Sequence, residues 1–286
     1  MMKKRRITNI DVSYLINKSI DIRESIVETC IEKGGHPASS LSCVEILVAL
    51  YYSNILNIYP DYPNNPHRDI FILSKGHAAT ILYIVLSDKG FFPKEWINKY
   101  YRAGDCRLGG HPDKKIPGVE ISTGALGHGL GVAVGMSIAA KMDNKENYHF
   151  VLMGDAECTE GSVWEAAMSA SYHQLSNLVG LIDLNEIGGS DFTENYSDIN
   201  NMEEKWAAFG WNVFSCDGHN INDLVSILEK IINNQSNKPS VIVAKTIKGK
   251  GVSFLENHPL GHVMQINSES EKESARRDIK ELRQNV

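Results

Sequence analysis

Short apolar runs alternate with helical patterns through the second half of the sequence, and this alternation constrains the fold more than any other feature. Apolar runs of strand length that are separated by amphipathic segments predict parallel strands joined by helical crossovers. The strands of a parallel sheet are apolar on both sides, so helices must cover both faces. We therefore expect an α/β fold with a parallel sheet and helices on both of its faces. In this half the predicted strands are 149–153, 178–184, 211–216 and 240–245, and the predicted helices are 160–174, 201–209 and 221–233.

The first half of the sequence adds one strand and several helices. One predicted helix opens with a Ser-x-x-Glu capping box, in which Ser42 and Glu45 are expected to satisfy the first amide groups. A glycine-rich segment, 103–131, overlaps the last of these helices. The predicted helices of this half are 10–33, 42–55 and 125–142, and the predicted strand is 69–73.

The composition of the chain excludes several classes of function. A formal net charge of −6 over 286 residues argues against a nucleic-acid partner. The five cysteines contain no Cys-x-x-Cys pair, so neither structural zinc nor a disulfide framework is expected, and their odd number fits a reducing cytoplasm. No stretch is long and apolar enough to span a membrane. We expect one domain over residues 1–263 and a charged C-terminal tail over 264–286.

Two polar side chains follow directly after predicted strands. Asp155 comes after the strand 149–153, and Asn185 comes after the strand 178–184. Parallel sheets bind ligands at the carboxyl ends of their strands, so we expect both residues at one edge of the sheet. Carboxylate and amide oxygens suit a hard divalent cation such as Mg²⁺, and the backbone carbonyl of Ile187 is a third candidate ligand.

Simpler interpretations of the motifs remain open at this point. Gly154-Asp155 alone is typical of a strand-to-helix turn in which Asp155 only caps the helix. The run Gly124–Gly131 resembles a phosphate loop, but such glycines also serve close helix packing. The basic loop from Lys245 to Gly251 either neutralises a phosphate or is a solvated turn.

Four histidines lie in turn-like segments, and each follows a glycine: His36, His77, His111 and His262. Histidine moves protons readily near neutral pH, which makes these side chains candidates for acid–base chemistry. Any single loop histidine is more often structural or solvated than catalytic. A transition-metal site built from histidines is the alternative.

Taken together, these segments resemble the N-terminal, diphosphate-binding half of transketolase. The resemblance includes residues 34–46, 69–79, 109–136, 152–186 and 204–255, which is nearly the whole chain. It implies the diphosphate-binding domain of the thiamine diphosphate fold. It also implies a transferase that moves a two-carbon ketol unit from a ketose or ketose phosphate to an aldehyde.

The resemblance implies roles for individual residues as well. Mg²⁺, or Ca²⁺ or Mn²⁺ in its place, is expected on Asp155, Asn185 and the Ile187 carbonyl. His77 is expected beside the diphosphate and the reaction centre. His36, His111 and His262 are expected to line the substrate channel, where they would bind donor hydroxyls and help proton transfer. The residues expected to bind thiamine diphosphate are His77, Gly124, Ala125, Leu126, Gly154, Asp155, Ala156, Glu160, Asn185 and Lys245.

The sequence also departs from the family pattern. Ala156 and Glu186 stand where glycine is usual, and His128 stands where glutamine is usual. A methyl group at 156 would crowd the diphosphate or strain a left-handed backbone, and a carboxylate at 186 would repel the diphosphate unless it points away.

The part of transketolase that binds the aminopyrimidine ring has no counterpart in this sequence. The resemblance therefore implies a partner subunit that carries the C-terminal half, in a heterotetramer with two copies of each chain. Two alternatives are kept: one half of a 2-oxo-acid decarboxylase or carboligase, and a non-catalytic regulatory subunit.

Overall fold

A central parallel sheet organises the computed structural model of the chain, which describes residues 11–284 except 103, 105, 106, 190, 199, 234 and 235. Within this part of the chain the strand order is β1-β2-β3-β5-β4, and every pairing is parallel. The predicted α/β class is confirmed. The strands are β1 (Ile70–Leu73), β2 (His149–Gly154), β3 (Leu178–Leu184), β4 (Asn212–Asp217) and β5 (Ser240–Lys245).

Helices cover both faces of the sheet, because successive side chains of a strand point to opposite sides. Phe150 and Leu152 pack into one apolar cluster, whereas Val151 and Met153 pack into the other. None of the described helices is both long and apolar enough to cross a membrane. The helices are α1 (Val12–Lys33), α2 (Pro37–Leu41), α3 (Val44–Tyr52), α4 (Ala79–Asp88), α5 (His128–Met142), α6 (Gly161–Tyr172), α7 (Met202–Ala208), α8 (Ile221–Asn233) and α9 (Glu269–Gln284).

The predicted helix over 42–55 is wrong at its start. Its helix, α3, follows a separate short helix, α2, and no side chain caps its first turn. The Ser42 hydroxyl donates to Asp183 at 2.6 Å, and the Glu45 carboxylate pairs with Arg23. Both side chains of the expected capping box therefore bind charged partners elsewhere in the fold. Hydrogen bonds to charged groups are stronger than a neutral cap on the local backbone, so the box does not form.

The C-terminal segment, predicted as a charged tail over 264–286, contains α9, which packs along α1. Ala275 and Ile279 on this helix are buried in the core. Arg276 forms a two-pronged ion pair with Glu28 on the surface. The division of the chain into a domain and a tail stays a prediction.

The two positions that lack the usual glycine differ in their backbone. Ala156 lies in a 3₁₀ helix, Ala156–Thr159, which any residue accommodates. Glu186, in the turn after β3, has a φ of 62°. This left-handed conformation costs a residue with a Cβ about 1–2 kcal/mol. The Glu186 side chain is exposed and lines a cavity beside the sheet edge, together with Lys245.

We expect Glu186→Gly to raise the free energy of unfolding by about 0.5–1 kcal/mol, since relief of the left-handed strain exceeds the extra entropy of a glycine in the unfolded chain. Urea denaturation at pH 7.5 measures this. The Glu186→Ala variant keeps the Cβ and removes the charge, so its stability should stay near that of the wild type. An equal gain in both variants would assign the effect to the charge.

Candidate cofactor and metal site

The three predicted metal ligands are neighbours at the carboxyl edge of the sheet. The Asp155 carboxylate accepts hydrogen bonds from the backbone amides of Asn185 at 2.9 Å, of Ala156 at 2.7 Å and of Glu186. The side-chain oxygen of Asn185 accepts from the Ile187 amide at 3.2 Å. Because of these bonds, the loop after β3 is held against the turn after β2.

A buried ion pair lies directly behind these ligands. The Lys75 ammonium contacts the Asp183 carboxylate, and the two side chains are only 2% and 0% exposed. The same carboxylate accepts from the side-chain nitrogen of Asn185 at 3.1 Å. An ionised carboxylate only accepts hydrogen bonds, so the Asn185 nitrogen must face it and the Asn185 oxygen must point away. Asp183 therefore orients the amide oxygen that is the candidate metal ligand.

Both members of this pair are held in their charged forms. Burial alone lowers the pKa of Lys75, but the adjacent Asp183 carboxylate more than reverses this, so the pKa is raised. Burial alone raises the pKa of Asp183, but Lys75 and the hydroxyls of Ser42 and Thr246 outweigh it, so this pKa is lowered. Asp183 is thus a fixed anion at neutral pH.

The pKa of Asp155 is raised, whereas that of Asp183 is lowered, and this suits Asp155 as a ligand of a cation. Burial and the neighbouring Asp183 carboxylate raise the pKa of Asp155 to about 6. A carboxylate that is penalised for its charge is relieved by a cation bound beside it. The donor set of carboxylate, amide and carbonyl oxygens matches the preference of Mg²⁺.

Buried polar atoms without hydrogen-bond partners lie on the segments that surround His77. Buried groups of this kind are uncommon, because each costs about 1–3 kcal/mol when it stays unpaired. Gly76 approaches the Gly124 loop so closely that a Cβ there would lie 2.7 Å from the Gly124 nitrogen. Hydroxyl groups and close backbone suit phosphate oxygens. Among the described residues these atoms include His36 Nδ1, Ser39 Oγ, Ser40 Oγ and Thr123 Oγ1.

The structure brings the four predicted histidines into one cluster. The ring centre of His36 lies 5.9 Å from that of His77, 6.4 Å from that of His111 and 5.2 Å from that of His262. The rings of His77 and His262 are 4.7 Å apart. No group of three or more His, Cys, Asp or Glu side chains that could hold a metal ion occurs in the described part of the chain.

The electrostatic surroundings keep most of this cluster uncharged. Burial, together with nearby lysines and histidines, lowers the pKa of His262 to about 4. Burial and then Lys75 lower the pKa of His77 well below its ordinary value. Burial and then His111 lower the pKa of His36. A neutral imidazole offers one donor and one acceptor, as recognition of hydroxyl groups requires.

Lys245 and Lys248 of the basic loop after β5 differ in exposure, and the cofactor role of Lys245 stays a prediction. Lys245 is exposed and lines the cavity beside Glu186, which has a volume of about 450 Å³. Lys248 is 3% exposed, and its ammonium group lies 2.9 Å from the carbonyl oxygen of Ile187. Burial and then Lys75 lower the pKa of Lys248 to about 8. Nothing in the sequence singled out Lys248, because Lys250 also precedes a glycine; Gly249, with a φ of 81°, turns the loop after Lys248.

Glu157 holds the glycine-rich segment in place, a role that no sequence motif indicated. Its carboxylate accepts from the Gly127 amide at 2.9 Å, from the Gly154 amide at 3.1 Å and from the Ser74 hydroxyl. The predicted helix over 125–142 therefore starts only at His128, because the preceding turn is tied to this carboxylate.

The remaining predicted cofactor contacts lie around this turn. Ala125 is exposed and Leu126 is half-buried, and their contacts with a cofactor stay a prediction. Glu160 is the N-cap of α6 and packs on the turn, since a Cβ at Gly127 would lie 2.6 Å from the Glu160 Cβ.

Comparison with known proteins decides the family. Residues 20–278 match the family described as transketolase, thiamine diphosphate binding domain. The chain belongs to this transketolase family. The resemblance stated from the sequence is therefore confirmed.

Individual transketolases match this chain over different fractions of their own length. The chain is 44% identical over 257 residues to an apulose-4-phosphate transketolase subunit of Actinobacillus succinogenes, covering 89% of this chain and 92% of that protein. It is 40% identical over 262 residues to a 6-deoxy-6-sulfo-D-fructose transketolase subunit of Clostridium sp., covering 91% and 93%. The structure of Campylobacter jejuni transketolase matches with a TM-score of 0.87 at 28% identity, covering 95% of this chain but 43% of that protein.

We expect Asp183→Asn to lower the free energy of unfolding by about 3–5 kcal/mol, because it leaves the Lys75 ammonium buried without its counterion. Urea denaturation of the isolated chain measures this. Asp143→Asn removes an exposed carboxylate and should change stability by less than about 0.5 kcal/mol. Equal stability of the two variants would contradict the role assigned to the buried pair.

The histidine cluster predicts an acid-labile contribution to stability. A histidine whose pKa is lower in the folded state binds fewer protons folded than unfolded between the two pKa values. Its contribution is therefore complete above about pH 6.5 and is lost as the pH falls towards the folded pKa, which for His262 is about 4. His262→Gln should make the unfolding free energy less dependent on pH between 6.5 and 4. The same change at the exposed His173 should leave the slope as it is in the wild type.

Proposed function

We propose that this chain is the cofactor-binding subunit of a two-chain transketolase, which uses thiamine diphosphate and Mg²⁺ to transfer a two-carbon ketol unit from a ketose or ketose phosphate to an aldehyde. One observation carries the proposal. In a domain of the transketolase family, the metal-type oxygens of Asp155 and Asn185, the buried Lys248 ammonium and a histidine cluster all meet at one edge of the sheet.

The residues at this edge divide the work of holding the cofactor. Asp155, Asn185 and the Ile187 carbonyl hold Mg²⁺, and the Lys248 ammonium adds positive charge for the diphosphate. Backbone of the segment 124–126 and the unpartnered hydroxyls near it bind phosphate oxygens. When bound, thiamine diphosphate supplies the carbanion chemistry that breaks the bond beside a ketose carbonyl, whereas the protein supplies orientation and electrostatics.

The histidines form hydrogen bonds to hydroxyl groups of the substrate and transfer protons. His36, His77 and His262 are neutral at pH 7, so each accepts one hydrogen bond and donates another to a sugar hydroxyl. His77 is the most enclosed of these rings, and Gly76, which precedes it, packs against the Gly124 backbone. We assign it proton transfer at the reacting centre. A channel lined by such groups favours polyhydroxylated donors over 2-oxo acids.

The missing half of the enzyme comes from a partner. The chain corresponds to less than half of the Campylobacter jejuni transketolase, whereas it covers over nine-tenths of relatives named as transketolase subunits. We propose a second chain that carries the pyrimidine-binding half, with two copies of each subunit in the complex. The described cysteines are all free, which supports assembly in a reducing cytoplasm.

Purification of the tagged chain with Mg²⁺ and thiamine diphosphate tests the assembly. We expect a co-purifying protein of similar length with a pyrimidine-binding domain, and cofactor retained by the complex in stoichiometric amount. A chain that purifies alone and retains no cofactor would refute the proposal. Donor assays on the complex, with a ketose phosphate against pyruvate, separate ketol transfer from 2-oxo-acid decarboxylation.

We expect His77→Ala to reduce the turnover of the assembled complex by about 100-fold, because general acid–base catalysis by one side chain contributes about that factor or more. Steady-state kinetics with a ketose phosphate and an aldehyde measure it. His173→Ala, at the exposed end of α6, is the matched control and should retain full turnover. Full turnover in the His77 variant would refute its role in proton transfer.

A further inference from the structure

A second network of buried polar groups lies outside the residues assigned so far. Arg23 of α1 and Glu45 of α3 form a two-pronged ion pair, and His219, just after β4, joins it through Nδ1 at 2.9 Å from the Glu45 carboxylate. The three side chains are 4%, 10% and 14% exposed. Burying this much charge and polarity is costly, so the network calls for an explanation beyond packing.

The hydrogen bonds of His219 determine which of its nitrogens carries the proton. The backbone N–H of Ile247 points at Nε2 over 2.8 Å, so Nε2 is an acceptor without hydrogen. Nδ1 therefore carries the hydrogen and donates it to Glu45. Burial alone raises the pKa of Glu45, but Arg23 and then His219 lower it to about 2, so this acceptor stays ionised. These two bonds hold the His219 ring in one tautomer.

The Nε2 atom of His219 accepts a hydrogen bond from the loop that carries Lys248. Ile247 immediately precedes Lys248, and Arg23 of the same network donates from Nε to the carbonyl of Lys250 at 3.1 Å. The network thus holds the loop by hydrogen bonds before and after Lys248. The Lys248 ammonium in turn donates to the Ile187 carbonyl at 2.9 Å.

We propose that His219 is a positioning residue for the candidate site. Through the Ile247 amide it fixes the segment 246–251, and this sets Lys248 against the loop that carries the candidate metal ligands. Glu45 and Arg23 act one step further back, since they hold the imidazole in the tautomer that accepts from Ile247. The effect on the cofactor rests on the proposed function, whereas the effect on the loop does not.

Two substitutions separate this role from simple space filling. In His219→Asn the side-chain nitrogen takes the place of Nδ1 and keeps the bond to Glu45, but the side chain is too short to accept from Ile247. In His219→Gln the side-chain oxygen reaches the place of Nε2 and restores that acceptor. Rescue by glutamine but not by asparagine is expected only if the bond to the loop matters.

Hydrogen exchange and lysine acylation of the ligand-free chain test the loop directly. Loss of one hydrogen bond predicts exchange about five- to tenfold faster over 246–251 in His219→Asn, with faster acylation of Lys248 and wild-type behaviour in His219→Gln. Wild-type protection in the Asn variant, equal loosening in both variants, or faster exchange spread over the whole domain would each overturn the proposal.

Titration of thiamine diphosphate with Mg²⁺ into the two-subunit complex tests the link to the cofactor. We expect binding about tenfold weaker in His219→Asn and unchanged in His219→Gln. Equal affinity in all three proteins, with a loosened loop in the Asn variant, would overturn the link. Absence of binding even by the wild type would refute the proposed function, and hydrogen exchange would still decide the role of His219.

Discussion

The buried ion pair of Lys75 and Asp183 is the interaction on which the rest of the site depends. Removing two charges from water costs several kcal/mol each, so the pair is stable only because the carboxylate gains further donors. It accepts hydrogen bonds from Ser42, Thr246 and Asn185. These residues come from the segments that follow α2, β5 and β3, and Lys75 follows β1. One carboxylate therefore ties three segments that are distant in the sequence to the end of β3.

The functional character of the edge follows from this arrangement. Asp183 turns the oxygen of Asn185 outward, and its negative charge helps to raise the pKa of the neighbouring Asp155. Burial and then Lys75 lower the pKa of both Lys248 and His77. The result is a set of oxygens that gain from a bound cation, beside a buried ammonium and neutral imidazoles. Such a site suits an anionic cofactor that carries its own metal ion.

The sequence predicts the sheet well, because a strand buried on both faces is a continuous apolar run with polar ends. The strands 178–184 and 240–245 match the structure residue for residue. The proximity of Asp155 and Asn185 follows from the same rule, since parallel strands end at one edge. The four loop histidines that follow a glycine lie in one cluster, because the turns that carry them come together at that edge of the sheet.

The contacts that no local pattern encodes were not predictable in this way. Asp183 sits inside an apolar run, and its partner Lys75 lies 108 residues earlier in the sequence. Lys248 was indistinguishable from Lys245 until the turn at Gly249 directed one inward.

A crystal structure of the two-subunit complex with thiamine diphosphate, and with Mn²⁺ in place of Mg²⁺, tests the proposed site most directly. We expect an anomalous manganese peak at coordination distance from Asp155, Asn185 and the Ile187 carbonyl; a peak elsewhere, or none with cofactor bound, would contradict the assignment of the metal site.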